Sequence, residues 1–383
     1  MLKSNNLPSI YLDSNTLNLT KYWSVYDIIK REYFDNNTIN NNDLLEKSIY
    51  GLVEGLGDRH SSYLNKEENQ SFNESLSGDF EGIGAVVEVH PLGVNIDRII
   101  KGSPAKNYDL RTGDILISAN GEKLEGLNLF EAVEKIKGPA GSKVVLEILR
   151  EGEESIIEKE VVREKIKIPS VDIEFLDGEI AYISLNMFGD DTSSEFRKAL
   201  DSARDTKGLI IDLRDNGGGY LISAVEILSE FIDNGENIVV TKYKDEKNNQ
   251  YYKSINSGEI YNGKIVVLIN ENSASASEIT AGALKDYQKA IIVGKKSYGK
   301  GSVQEPFDLG DGSMLKLTVA KWFTPKGINI DDEGILPDIE IDFLEEDYIN
   351  KYDRQKEESK KILKLFIEKK ALNLTIDTYK ELK

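Results

Sequence analysis

Three serines, Ser273, Ser275 and Ser277, stand in Asn270-Glu271-Asn272-Ser273-Ala274-Ser275-Ala276-Ser277-Glu278, directly after the apolar run Ile265-Val266-Val267-Leu268-Ile269. A strand feeding a turn that opens a helix sets a hydroxyl beside the unpaired N–H groups of the helix N-terminus, where developing oxyanion charge can be held. Ser275 followed by Glu278 is also a capping box, so the local pattern allows either a nucleophile or a helix cap. A serine nucleophile needs a base. The chain has two histidines. His60 lies in the turn Gly57-Asp58-Arg59-His60-Ser61-Ser62-Tyr63 that closes a helical stretch, and His90 ends a strand, so both read as structural. Cysteine is absent, which removes a thiol nucleophile, a disulfide and a His/Cys zinc cage. Lysine is the base that remains.

Lys300 sits in Ser297-Tyr298-Gly299-Lys300-Gly301-Ser302, between two glycines that permit positive φ and close backbone approach. One helix and one strand separate it from Ser275, so the loop after the strand at 290–293 can return to the same sheet edge as the helix start. To act near neutral pH its pKa must fall from ~10.4 to about 7, roughly 4.6 kcal/mol in favour of the neutral amine, which apolar burial can supply. Gly-Lys-Gly by itself also fits a flexible surface turn, and Lys295 and Lys296, without that frame, read as solvated. In Ile210-Ile211-Asp212-Leu213-Arg214-Asp215-Asn216-Gly217-Gly218-Gly219 a strand runs into three glycines. Their amides could complete an oxyanion hole or cradle a phosphate, although no GxxxxGK[ST] follows. Phe80-Glu81-Gly82-Ile83-Gly84-Ala85-Val86-Val87 places a glycine-bearing turn before an edge-type strand. Such amides could capture a peptide's C-terminal carboxylate while the strand pairs with its backbone, or the string could be an ordinary strand.

These residues must be positioned by a chain of 383 residues, long enough for two or three domains. Its 39% hydrophobic and 30% charged residues describe a folded globular protein. A formal charge of −19 opposes docking on phosphate backbones or anionic lipid, so no nucleic-acid partner is expected. Apolar runs are strand-length, far short of the ~20 residues of a membrane helix. Residues 1–19 lack the basic region and apolar core of a signal peptide. From 21 to 65, Trp23, Val25, Ile28, Ile29, Leu44, Leu45, Ile49, Leu52 and Leu56 recur at helical spacing and predict a helical arm. Short strands at 84–89, 93–99, 115–119, 144–149 and 155–162 follow, with a helix at 127–137 carrying Leu129, Ala132, Val133 and Ile136 on one face. From 179 strands at 181–185, 208–213, 237–243, 264–269 and 290–293 alternate with helices at 192–203, 220–232 and 275–287, the grammar of a layered α/β domain. A β-segment at 314–323 and a helix at 347–370 complete the chain, and Glu345-Glu346-Asp347 reads as solvated.

Taken together, these motifs resemble a known family. Gly82-Ile83-Gly84-Ala85, Gly102-Ser103-Pro104-Ala105, Arg111-Thr112-Gly113-Asp114-Ile115-Leu116, Asn120-Gly121 and Gly138-Pro139-Ala140-Gly141 resemble a PDZ domain. Leu213-Arg214-Asp215-Asn216-Gly217-Gly218-Gly219, Ser273-Ala274-Ser275-Ala276-Ser277-Glu278 and Tyr298-Gly299-Lys300-Gly301-Ser302-Val303-Gln304 resemble the C-terminal (tail-specific) processing peptidases, a serine/lysine family. Gly57-Asp58 with Ser61-Ser62-Tyr63, Thr324-Pro325-Lys326-Gly327 and Gly334-Ile335-Leu336-Pro337-Asp338 match as well. The resemblance implies an α/β, crotonase-like layered protease core with an inserted small mixed-β PDZ domain and an N-terminal helical arm. The division it implies is 1–78, 79–165, 166–345 and 346–383. It also implies Ser275 as nucleophile, Lys300 as base, Gln304 as support for the lysine, and the amides of Ala276 and Gly218 as oxyanion hole. Gly82, Ile83, Gly84, Ala85, Val133 and Ile136, with Leu129, would bind the substrate's C-terminus. No metal or cofactor is implied. Protein tails as substrates, a homodimer and an extracytoplasmic location are. Tyr108-Asp109, Gly217 and His60 depart from the usual pattern, and none of them touches the dyad. Two other readings remain: a catalytically silent PDZ-bearing peptide receptor, and a crotonase-like acyl-thioester enzyme, for which no CoA-phosphate site is evident.

Overall fold

The computed structural model describes residues 19–382 except 101, 154, 168, 257, 259 and 351, so the reading of residues 1–19 as leaderless lies outside it but for Leu19. Helices α1 (Thr20–Glu32) and α2 (Asn41–Glu54) form the arm. Strand β1 (Ser62–Leu64) follows, then α3 (Lys66–Ser77), whose N-terminus is closed by a reciprocal Asn65/Glu68 box. The sequence reading passed over α3 because its composition, rich in Glu, Asn and Ser, carries little apolar periodicity.

Strand β2 (Asp79–Gly82) leads into a small domain of β3 (Ala85–His90), β4 (Gly93–Ile99), α4 (Pro104–Asn107), β5 (Ile115–Ala119), β6 (Glu122–Lys123), α5 (Leu129–Ile136), β7 (Lys143–Leu149) and β8 (Ile157–Val162). Its sheet runs β3-β4-β5-β7-β8 with β6 on β5, closed over Val94, Ile96, Leu116, Leu146 and Ile148 and over Ala132 and Ile136 of α5. Strand β9 (Glu164–Lys167) then pairs antiparallel with β2, so the chain enters and leaves this domain side by side.

The remaining chain supplies β10 (Val171–Leu176), β11 (Ile180–Leu185), α6 (Thr192–Ser202), β12 (Gly208–Asp212), α7 (Leu221–Leu228), β13 (Asn237–Tyr243), β14 (Gln250–Lys253), β15 (Lys264–Ile269), α8 (Ala276–Asp286), β16 (Ala290–Gly294), β17 (Ser302–Asp308), β18 (Met314–Phe323), β19 (Ile339–Glu340), α9 (Glu345–Ile349), α10 (Arg354–Lys369) and α11 (Leu372–Glu381). The main sheet runs β10-β11-β12-β15-β16-β19, parallel except for β10. Helices α6, α7 and α8 cover one face through Phe196, Leu200, Leu228 and Leu284. On the other face α10 and α11 set Ile362, Leu363, Phe366 and Tyr379 against Ile210, Val266 and Leu268. Burial on both faces explains why these strands read as unbroken apolar runs. A second sheet, β1-β18-β13-β14 with β17 on β18, brings Trp322 and Val239 into the core on the α7/α8 side.

The helix expected over 347–370 is two helices. Asp353 breaks the run and caps α10 by accepting the Lys356 N–H at 3.0 Å. Asp347 is 3% exposed rather than solvated, ion-paired to Arg354 at 2.6 Å. Strand β17, with Pro306 and the charged Glu305 and Asp308, carries no strand alternation and was not foreseen.

Candidate active site

Three turns at the C-terminal ends of adjacent parallel strands meet: the glycine turn after β12, the serine turn after β15 and the lysine loop after β16. Ligand sites on open α/β sheets form at such ends, where neighbouring strands deliver their loops to one edge. Ser275 occupies φ 54°, ψ −113°, a strained conformation for a residue with a Cβ. The strain is held by Glu278, which is fully buried and accepts four hydrogen bonds: from Ser275 N at 2.9 Å, Ser297 Oγ at 2.6 Å, Gly299 N at 2.7 Å and Lys300 N at 2.9 Å. One carboxyl group therefore ties the serine turn to the lysine loop. Tyr298 N adds a bond to Ser273 O at 3.0 Å, and Trp322 Nε1 donates to Lys300 O at 2.8 Å. The glycine frame serves close approach, since a Cβ on Gly301 would lie 2.6 Å from Asp331 N.

Among the described residues Lys300 makes no ion pair. Burial pulls its pKa below the usual lysine value, and the charge of Lys316 pulls the same way, while Glu278 and Asp58 oppose them. Ser275, Lys300 and Gln304 line one cavity of about 470 Å³ with Gly217, Gly218 and Gly219, and Phe72, Leu76, Ile279, Val303, Met314 and Trp322 give it an apolar wall. Among the described residues no hydrogen bond joins Ser275 Oγ to Lys300 Nζ. Gln304 donates to Ser302 Oγ at 2.9 Å and Thr318 Oγ1 at 3.1 Å, and none of its hydrogen bonds goes to Lys300.

The glycine turn requires a correction. Gly218 N–H is taken by Asn216 Oδ1 at 2.9 Å, so it is not the free donor expected from the sequence. Asn216, fully buried, also donates to Leu185 O at 2.8 Å and accepts at its own carbonyl from Ala274 N and Ser277 Oγ. Among the described residues the amides of Gly219 and Ala276 have no hydrogen-bond partner. Gly218 instead provides closeness: a Cβ there would stand 2.8 Å from the Ser275 Cβ and 2.9 Å from Ala276 N. A larger cavity of about 630 Å³ around Asp212, Arg214, Lys295 and Asp342 holds ion pairs, and none of Ser273, Ser275 and Ser277 lines it. Among the described residues no three His, Asp or Glu side chains gather as metal ligands.

In the small domain, β3 and α5 enclose a groove of about 200 Å³ lined by Gly82, Ile83, Gly84, Ala85, Val133 and Ile136. Ile83, 4% exposed, forms its floor, while Leu129 is exposed and does not line it. Ile166 of β9 does.

Residues 179–341 match peptidase family S41, residues 96–150 a PDZ domain, and residues 4–68 the activating protease CtpB N-terminal domain. The carboxy-terminal processing protease CtpA of Bacillus subtilis (strain 168) is 36% identical over 319 residues, 83% of this chain and 67% of that protein. The chain belongs to peptidase family S41. A CtpA-like serine protease of Staphylococcus aureus (strain MRSA252) is 39% identical over 329 residues, 85% of this chain, which spans 65% of that relative's length. Among solved structures, the photosystem II D1 C-terminal processing protease superposes with TM-score 0.50 at 25% identity over 84% of this chain and 86% of its own. The tricorn protease shares the fold at TM-score 0.50 and 19% identity, over 93% of this chain and 35% of its own.

Within this S41 chain, sequence reasoning gave Glu278 only a capping role, and the four donors it gathers come from segments 19 to 22 residues further on as well as from its own turn. Asp58 and Ser61 were noted as motif residues alone. They dock the loop before β1 onto β18, where Ser61 Oγ accepts the Thr318 N–H at 3.0 Å. His60, beside Tyr298 at 6.3 Å between ring centroids, is kept below the usual histidine value by burial and by the charges of Lys300 and Arg59. Lys316 had no signal in the sequence beyond its strand.

Proposed function

We propose that this chain is a serine endopeptidase that cleaves proteins near their C-terminal tails through a Ser275/Lys300 dyad. The observation that carries this reading is the shared cavity of Ser275 and Lys300, with both turns bound to the one buried Glu278. In the cycle, the neutral Lys300 amine takes the Ser275 proton as Oγ attacks the scissile carbonyl, the oxyanion rests on the Ala276 and Gly219 amides, and the new ammonium returns its proton to the leaving amine. Water, deprotonated by the same lysine, then hydrolyses the acyl-enzyme. The Ser275–Lys300 hydrogen bond is expected to form in the substrate complex.

We assign the crotonase-like layering, the PDZ insertion and the 1–78, 79–165, 166–345 and 346–383 division to the same reading. The small domain's groove would hold the substrate's C-terminal residues. Helix α3 supports a gating role, because Phe72 and Leu76 line the catalytic cavity while its chain runs directly into β2, whose partner β9 lines the groove. An extracytoplasmic location follows from the family; among the described residues no helix is long and apolar enough to cross a membrane.

Digestion of a disordered protein with fragments read by mass spectrometry tests the proposal. Ser275→Ala, Lys300→Ala and Lys300→Arg are each expected to abolish cleavage while remaining folded, since a guanidinium stays protonated and cannot serve as base. Full turnover by any of them rejects the dyad. A wild-type chain that binds tails without cutting them would instead be the silent receptor.

A further inference from the structure

The catalytic cavity holds a second lysine. Lys316 lies on β18 opposite Ser62 of β1 and Pro306 of β17, half-buried, and lines the same cavity as Ser275 and Lys300. Its ammonium stands 5.4 Å from the centre of the Phe72 ring. Among the described residues it has no ion pair and no hydrogen bond, and burial alone moves its pKa, downward. Asp and Glu outnumber Lys and Arg by 67 to 48 in this chain. An uncompensated cation set into a half-buried cavity of so acidic a protein is costly, and a counter-ion would be easy to supply. With only the Phe72 ring against it among the described residues, the Lys316 charge acts on whatever shares the cavity.

Lys300 shares it. The charged or titratable groups facing Lys300 are Glu278 from α8, Asp58 and His60 from the loop before β1, and Lys316 from β18. Lys316 faces Lys300 and the Phe72 ring. Two ammonium groups in one partly desolvated cavity disfavour double protonation, and the more deeply buried of the two, Lys300, gives up its proton first. A neighbouring cation is one of the recognised ways to make a lysine nucleophilic or basic near neutral pH. Glu278 and Asp58 pull the other way, and the Lys316 charge acts against them.

We propose that Lys316 is a positioning residue acting through Lys300: its uncompensated charge, projecting into the shared cavity, keeps the Lys300 amine in the proton-accepting form. The inference rests on the dyad reading above and adds the group that makes the base usable.

The test is the pH dependence of kcat/KM for a disordered protein substrate, and of acylation by a small activated ester, in the full chain. Lys316→Met and Lys316→Gln are expected to move the acid limb upward by on the order of one pH unit, a roughly tenfold loss on the acid side that closes at alkaline pH. Lys316→Arg, which keeps the charge, is expected to retain the wild-type limb. Gln preserves the polar tip, so if the Met variant fails to fold, the Gln and Arg pair carries the comparison. An unmoved limb in Gln, a pH-independent loss, or a rise in KM confined to substrates with an acidic residue near the cleaved bond would each overturn the proposal, the last by making Lys316 a carboxylate subsite. Inactive Ser275→Ala and Lys300→Ala with an unmoved limb overturn this inference alone, whereas active dyad variants overturn the reading beneath it.

Discussion

Glu278 ties the Ser275 turn to the Lys300 loop through one carboxyl group. Ser297 Oγ and Gly299 N share Oε1, and Ser275 N and Lys300 N share Oε2. A glutamine has one acceptor oxygen, so in either orientation its NH₂ meets at least one backbone N–H in a site without water access. Glu278→Gln is therefore expected to cost about 2–4 kcal/mol of stability, at ~1–3 kcal/mol for each buried donor left unpaired. Cleavage is expected to fall about 100-fold or more, because displacement of a dyad by ~1 Å has that effect. Urea unfolding and the digestion assay check both, and wild-type values in either would show that the carboxylate is only a helix cap. The strained φ of Ser275 belongs to the same residue scale, since the bond from Ser275 N to Glu278 is what holds it.

At the scale of elements, the loop before β1 connects the arm to the strand behind the catalytic cavity. Asp58 accepts from His60 N at 3.0 Å and Ser61 Oγ at 2.6 Å, and Ser61 in turn receives Thr318 N of β18. Burial pushes the Asp58 carboxyl up, but hydrogen bonds from Ser61, Thr318 and the His60 amide outweigh it and hold it at about 2. A carboxylate depressed in the folded state adds stability that is complete above its unfolded value, near ~3.9, and is lost as pH falls towards 2. The wild-type chain is thus expected to lose this docking between those limits. Asp58→Asn should show a flatter acid dependence and about 1 kcal/mol less stability at pH 7, measured by urea unfolding at pH 7 and pH 3. Parallel pH slopes for the two proteins would remove Asp58 from the docking.

For the molecule as a whole, the arm displays exposed apolar side chains: Val25 and Ile28 of α1, Leu45 and Leu52 of α2 and Leu56 just after it, with Trp23 exposed beside Tyr22 and Tyr26, and among the described residues none of α1 is buried. An apolar helical face of this extent on one arm suits association, and a second copy of the chain, offering the same face, is expected to bury it by symmetry. Sedimentation at micromolar concentration is expected to give twice 42.9 kDa for the wild type and a single chain for Ile28→Asp. A wild-type chain sedimenting as one copy would leave the arm for another partner. The β2–β9 pair and helix α3 connect the groove of the small domain to the cavity of Ser275, so the two are joined through the chain rather than through a common core.

Local periodicity was enough to locate the strands at 115–119, 237–243, 264–269 and 314–323, and the strand–turn–helix around Ser275, because each depends on residues a few positions apart. Lys300 stood out by its glycine frame and Gln304 only through the family resemblance of its motif, and the structure places both on the cavity of Ser275. The tertiary structure decided the rest. That Glu278 collects donors from two loops and that Lys316 lines the same cavity as Lys300 depend on which strands lie side by side, and spacing along a chain cannot express an adjacency made by sheet pairing.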